Sequence, residues 1–172
     1  MKEMMVAPVS RTSIILGKIL GGAITATIQG IILLIVAGLM GAFTPSLAFV
    51  TGSFAAIGVM LLITSGFVGL GVAIGSSLND FHAFQLLSTF VMWPIFMLSG
   101  VFFPIDGAPL ILQVAMLGDP MFYGVELLRW CLLGTGSPLL GPFGWLISLA
   151  VVTGFNALMI GLGTYLFSRA QI

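Results

Sequence analysis

Ionisable side chains are scarce in this chain, since only 6% of its 172 residues are charged. A soluble domain carries about a quarter of its residues as Asp, Glu, Lys or Arg. The five acidic and five basic residues give a formal net charge of zero, so the composition implies no nucleic-acid partner. The single cysteine, Cys131, makes no internal disulfide. The chain cannot cover its outside with polar groups, and lipid must do so.

What the chain has instead is long apolar runs, which make it 59% hydrophobic with a mean hydropathy of +1.25. About 20 apolar residues in a helix cross the roughly 30 Å hydrocarbon core of a bilayer. Barrel strands alternate apolar and polar residues, whereas these runs are continuous, and backbone groups in lipid require helices. We therefore predict an all-α integral membrane protein with four transmembrane helices. The apolar blocks are 19–40, 49–74, 84–103 and 143–167, and no charged residue falls inside them.

The basic residues predict the orientation of these spans. Lys2, Arg11 and Lys18 precede the first block and Arg169 follows the last, leaving only Arg129 elsewhere. Because Lys and Arg collect on the cytoplasmic side, both termini are expected in the cytoplasm. We expect one transmembrane domain over residues 1–172.

The connection between the third and fourth blocks, residues 104–142, is expected outside the cell. It contains two apolar pieces, 110–117 and 121–133, which prolines and glycines interrupt. Each piece is too short to cross a bilayer, so we predict short re-entrant or interfacial helices. Asp119 before Pro120 is a good helix start. Glu126 and Arg129 are three residues apart, so they share a helix face and are able to pair.

The end of the third block carries an unusual set of residues. Pro94 lies inside the block, Ser99 and Gly100 follow, and Phe103 and Pro104 close it. Proline frees a backbone carbonyl and bends a helix, and serine can satisfy such a carbonyl in hydrocarbon. The functional interpretation is a hinge, or outer gate, at the mouth of a pathway. The alternative is a bent span with an aromatic end.

Glycine spacing offers a weaker signal. The pairs Gly17 with Gly21 and Gly71 with Gly75 are four apart, which suits close approach of two helices. The alternative is that glycine is simply common in membrane helices.

Three segments together resemble the permease subunits of the ABC-2 type transporter family, the membrane halves of ATP-driven exporters of drugs, lipids and lipid-linked glycans. They are KEMMVAPVSRTSIILGK near the start, LSGVFFPID after the third block and GDPMFYGVELLR in the external region. Their order and spacing cover nearly the whole chain. The matching positions are Glu3, Pro8, Ser10, Arg11, Gly17, Lys18, Leu98, Ser99, Gly100, Phe103, Pro104, Asp119, Pro120, Leu128 and Arg129.

The resemblance implies a role for the first twelve residues. In the family this cytoplasmic turn couples to a separate ABC ATPase, which places Glu3, Pro8, Ser10 and Arg11 at that contact. The resemblance also implies a homo- or heterodimer of permease subunits, membrane lipid as a partner, and a bacterial or archaeal plasma membrane. No cofactor is expected, since ATP is bound by the partner.

The family has six spans, and this chain has room for four. It resembles the part that runs from the cytoplasmic turn between the second and third spans onward. Either the reading frame is truncated, or the missing spans lie on another polypeptide.

Two other functions remain as alternatives. A non-transporting membrane scaffold is favoured if four spans work alone. An intramembrane enzyme needs clustered ionisable groups at membrane depth, for which the candidates are Asp80 with His82 and Glu126 with Arg129. Asp80 and His82 have no further His, Cys or acidic neighbour to complete a metal site. The sequence has no G-x-x-x-x-G-K-[ST] motif, so ATP hydrolysis is expected on another subunit.

Overall fold

The computed structural model describes residues 11–43, 47–76, 78 and 80–169, and over these residues the chain is helical. This confirms the predicted all-α membrane fold. The helices are α1 (Arg11–Leu39), α2 (Leu47–Ser76), α3 (Phe81–Leu98), α4 (Leu110–Leu117), α5 (Pro120–Leu133) and α6 (Gly144–Arg169), with a 3-10 turn at Pro138–Leu140.

Three of these helices are long and apolar enough to cross a bilayer. Their apolar parts are Ser13–Leu39, Phe49–Ser76 and Gly144–Leu166. Helices α4 and α5 are bent by 85° at a short break between them, and we call this bent pair the hairpin. The bend fits both a broken span and a re-entrant segment, so the re-entrant arrangement stays a prediction. Helix α3 has 18 residues and is therefore about 27 Å long, slightly under the thickness of the hydrocarbon core.

Helix α3 ends earlier than the apolar pattern predicted. The block continues to Phe103, but the helix stops at Leu98, where Ser99 forms the C-cap. Gly100 then adopts a left-handed backbone with φ of 78°, which a helix cannot continue through. Phe102 and Phe103 therefore lie in an irregular segment, and both are exposed.

Helix α2 forms the centre of the structure and packs against α6, α1 and α5. Backbones approach closely at Gly69, where an added Cβ would lie 3.2 Å from the Met159 carbonyl carbon of α6. At Gly163 it would lie 3.1 Å from the Gly69 carbonyl oxygen. Small residues allow such approach in membrane helices, where packing drives association.

The glycines singled out by spacing do not make these contacts. An added Cβ would meet no atom within 4 Å at Gly17, Gly21 or Gly71. At Gly75 it would meet only the Phe84 ring, at 3.4 Å. These pairs therefore make no close helix approach within the described part of this chain, because spacing alone does not say which face meets a neighbour. Contact at these glycines in an oligomer stays a prediction.

Helix α5 runs beside the first half of α2 in the opposite direction. Near the α5 C-terminus, Gly52 of α2 lies against the Cys131 carbonyl. Further down, an added Cβ on Gly124 would lie 2.8 Å from Ile63 Cδ1, and Ile63 is close to the midpoint of α2. The break before α5 therefore lies past the midpoint of α2, beside its C-terminal half and still within the length that α2 spans.

Candidate functional site

The bend between α4 and α5 is built by local hydrogen bonds. Asp119 is the N-cap of α5, and its Oδ1 accepts a hydrogen bond from the Met121 N–H at 3.0 Å, with Pro120 as the first helical residue. The Tyr123 hydroxyl donates to the Leu117 carbonyl at 2.8 Å and so ties α5 back to the end of α4. The predicted helix start at Asp119 and Pro120 is confirmed.

The predicted pair of Glu126 and Arg129 is present on α5. Arg129 Nη1 donates to Glu126 Oε1 at 2.8 Å, and the Glu126 side chain is fully buried. The second carboxylate oxygen, Oε2, accepts the Ser137 N–H at 2.7 Å, just before the 3-10 turn. A carboxylate that accepts a cationic donor and a backbone N–H is compensated for its loss of water.

Arg129 also reaches a segment 29 residues away. Its Nη2 donates to the Gly100 carbonyl at 2.6 Å, directly after α3. We call Gly100, Glu126, Arg129 and Ser137 the polar clamp. It joins the end of α3, the middle of α5 and the segment that leads into α6.

Two features require glycine at position 100, namely its left-handed backbone angle and the lack of room for a side chain. A Cβ added there would lie 3.0 Å from the Phe122 ring. The adjacent Ser99 is fully buried, and its hydroxyl donates to the Phe96 carbonyl at 2.7 Å. Ser99 thus satisfies a backbone carbonyl in the way the sequence predicted.

The other proposed hinge residues are placed differently. Pro94 lies inside α3 on an exposed face, and the helix continues through it. Phe103 and Pro104 are exposed beyond the clamp. The structure therefore brings Ser99 and Gly100 together with Glu126 and Arg129, but not Pro94, Phe103 or Pro104.

One face of α3 forms an open groove of about 740 Å³. Polar side chains occur along it at helical spacing, namely Gln85 and Thr89, and both are exposed. Trp93 continues the same face with 59% of its surface exposed. An amide facing hydrocarbon without a partner is costly, so this face needs protein, water or a ligand against it.

Asp80 and His82, which the sequence offered as candidates for an intramembrane enzyme site, lie at the start of α3, where Asp80 has a local structural role. Asp80 is the N-cap of α3, and its Oδ1 accepts the His82 backbone N–H at 3.2 Å. This accounts for an aspartate at that position.

Sequence reasoning missed a polar contact between α2 and α6. Asn156 Nδ2 lies 2.9 Å from Ser65 Oγ and 3.1 Å from the Leu62 carbonyl, near the middle of both helices. The available signal was an amide inside the fourth apolar block. Such residues hold transmembrane helices together.

The proposed coupling residues lie almost wholly outside the described part of the chain. Glu3, Pro8 and Ser10 fall outside it, and Arg11 is described only as the residue where α1 begins.

The features above define a multi-pass membrane protein with a bent helix pair, α4 and α5. Residues 1–133 match the family described as ABC-2 type transporter, and the chain belongs to that family. Members of this family generally work with an ABC ATPase.

Among curated proteins, the chain is similar to two called Nodulation protein J. It is 30% identical to the one from Rhizobium leguminosarum bv. trifolii over 121 residues, which cover 70% of this chain and 44% of that protein. It is 27% identical to the one from R. leguminosarum bv. viciae over 133 residues, which cover 77% and 49%. The chain therefore spans about half the length of these relatives. No solved structure matches the chain.

Proposed function

We propose that this chain is a membrane-spanning subunit of an ABC exporter that forms part of the pathway for a drug, lipid or glycan-type substrate. ATP hydrolysis on a separate subunit drives the transport. Membership of the ABC-2 type transporter family supports this function. The observation that carries it is the exposed face of α3, where Gln85 and Thr89 stand in line with Trp93.

The chemistry of this face suits an amphipathic substrate. Amide and hydroxyl groups offer hydrogen bonds, while Trp93 and Phe90, which is 80% exposed, offer apolar area. A helix face that contacts only lipid tails would not require the Gln85 amide, so this side chain favours a face that contacts water or substrate.

The proposed orientation has both termini in the cytoplasm of a bacterial or archaeal plasma membrane. Helix α3 then starts at the cytoplasmic side, and the polar clamp lies toward the outside. A second permease subunit, identical or different, and membrane lipid complete the surroundings. The basic residues at the two chain ends support this orientation.

Cysteine labelling tests whether α3 lines a water-accessible pathway. In a Cys131→Ser background, Gln85→Cys and Thr89→Cys are compared with Leu33→Cys, a matched control that is 68% exposed on the apolar face of α1. We expect a water-soluble thiol reagent to modify the two α3 variants and not the control. With the partner ATPase present, adding ATP should change the rate at Thr89→Cys. Equal protection of all three positions from the reagent would contradict the proposal.

The coupling of the cytoplasmic segment is a separate part of the proposal. Residues 2–12 should contact the ATPase, with Glu3 and Arg11 as polar contacts and Pro8 fixing the turn. Loss of one exposed ion pair costs about 0–1 kcal/mol, so single changes should weaken coupling without preventing assembly. The combined change of Glu3, Pro8 and Arg11 to alanine should uncouple ATP hydrolysis from transport while the protein remains inserted. Full transport-linked ATPase activity in that variant would make the segment a plain anchor.

A further inference from the structure

We propose that Asp119 is a proton-binding site inside the membrane, where its side chain is held as a neutral carboxylic acid. The claim concerns the hairpin of α4 and α5 and does not depend on the transport function proposed above. It rests on depth, burial, hydrogen bonding and the lack of a nearby cation.

The depth of Asp119 follows from the register of α5 on α2. Met121, two residues further on, lines the same groove as Ile63, Thr64 and Phe67 of α2. These residues lie near the middle of a 30-residue spanning helix. Asp119 therefore sits where α2 passes through the interior of the bilayer.

The two carboxyl oxygens of Asp119 have different surroundings. Oδ1 accepts the Met121 N–H, whereas Oδ2 is buried and accepts no hydrogen bond from any described residue. The side chain as a whole is 95% buried, since only 5% of its surface is exposed. A neutral acid fits this arrangement, because its carbonyl oxygen accepts the cap hydrogen bond while its hydroxyl carries the proton.

Among the residues that the structure describes, none of the helices packed around this carboxyl group brings a cation against it. Helices α2 and α4 contain no ionisable residue. Helix α3 has only His82, at its start, and α6 has only Tyr165 and Arg169, in its last turns. On α5 itself the ionisable residues are Tyr123, Glu126, Arg129 and Cys131. Lys18 lies in the first part of α1, a helix whose contacts are with α2 and α6.

Arg129 is the one cation on α5, and it is already engaged. It is ten residues from Asp119 along the helix, about 15 Å, and it binds Glu126 and the Gly100 carbonyl. The N-terminus of α5 favours a negative charge, but this helix-end effect is small beside the cost of burying an unpaired carboxylate. The cost of burying the charge therefore outweighs the helix-end effect, and the carboxyl group of Asp119 is favoured in its neutral form.

The neutral state gives the hairpin a response to pH. When the proton is bound, the tip can stay packed at membrane depth; when it is lost, the tip carries an unpaired charge and is driven toward water. Packing of the hairpin is therefore full at acidic pH and is lost as the pH rises through the titration of Asp119.

Infrared spectroscopy tests the proposal directly, since a carboxylic acid and a carboxylate have distinct C=O bands. The purified chain in lipid nanodiscs, labelled with carbon-13 on aspartate, contains only three labelled residues, Asp80, Asp106 and Asp119. We expect an aspartic acid band at about pH 5, where an ordinary aspartate is ionised, and a loss of that band as the pH rises above neutral. The band should vanish in Asp119→Asn and remain in the matched control Asp106→Asn, which changes an exposed carboxyl group.

Three outcomes would overturn the proposal. The first is a wild-type protein with no acid band at about pH 5, a result that requires no variant to fold. The second is a band that survives Asp119→Asn. The third is a band that sodium or potassium ions remove in proportion to their concentration, which would assign the site to a metal cation.

A stability measurement sharpens the same claim. Asp119→Asn keeps the cap acceptor and a neutral group, so its unfolding temperature should no longer fall as the pH rises, whereas that of the wild type should. An identical pH profile for both proteins would count against proton binding at Asp119.

Discussion

Helices α2 and α6 are packed backbone to backbone, whereas α3 packs only loosely on the rest of the chain. Gly69 and Gly163 let the first pair approach closely, and Asn156 adds hydrogen bonds between them. Helix α3 makes few contacts, with α2, α4 and α5, and exposes much of its aromatic surface. Its firmest polar tie is the bond between Arg129 and the Gly100 carbonyl, just past its end.

This difference divides the molecule into a rigid frame and a loosely attached helix. The rigid frame consists of α2 and α6, whose backbones touch at small residues and leave no room for one helix to shift against the other. Helix α3 has few packed neighbours within the chain and a glycine joint at one end, as expected of an element that moves. The polar clamp is what connects the two regions.

The largest expected effect comes from breaking the clamp. Glu126→Ala leaves Arg129 without its carboxylate and the Ser137 N–H without its acceptor. Removing one partner of a fully buried ion pair costs about 3–5 kcal/mol. Because 32% of the Arg129 side chain is exposed, we expect a loss near the lower end of that range in the free energy of unfolding in bicelles. The same variant should loosen the end of α3, measured as faster amide exchange at Ser99 and Gly100.

Asp106→Ala is the control for this change, because Asp106 is exposed and lies in the segment that follows α3. It should alter the free energy of unfolding by no more than about 0.5 kcal/mol. If Glu126→Ala costs as little as the control, the pair does not hold α3 to the frame.

Gly69→Ala tests the rigid frame. The added methyl group would press on the α6 backbone at Met159 and Ile160, where no flexible side chain can give way. We expect a destabilisation of about 1–3 kcal/mol by unfolding in bicelles. Gly71→Ala is the matched control on the same helix, since its methyl group meets nothing within 4 Å, and it should be neutral or slightly stabilising. Equal effects at the two positions would mean that α2 and α6 are not in close contact at Gly69.

The smallest expected effect concerns the polar contact within the frame. Asn156→Leu removes the hydrogen bonds to Ser65 and to the Leu62 carbonyl, at a cost of about 1 kcal/mol. Thr25→Val is the control, because the Thr25 hydroxyl bonds only the Gly21 carbonyl of its own helix. Steric trapping can measure the free energy of unfolding of both variants. A larger loss for Thr25→Val than for Asn156→Leu would contradict a stabilising role for the Asn156 hydrogen bonds.

The sequence by itself determined the class of protein and the local features. Runs of about 20 apolar residues cannot stay in water, which decided for membrane helices. Asp119 with Pro120 predicted the start of α5, and the three-residue spacing of Glu126 and Arg129 predicted their pairing. Capping and pairing within one helix depend on neighbours along the chain, so the sequence carries them.

Only the tertiary structure decided which faces meet. It placed the Gly100 carbonyl and the Ser137 N–H on the Glu126–Arg129 pair. It also made Gly69, and not Gly71, the position of close contact, and it set Gly124 of α5 against Ile63 of α2. In lipid every side of these helices is apolar, so the hydrophobic pattern does not mark an inner face. Register and contact are then set by shape and by a few hydrogen bonds between residues far apart in the chain.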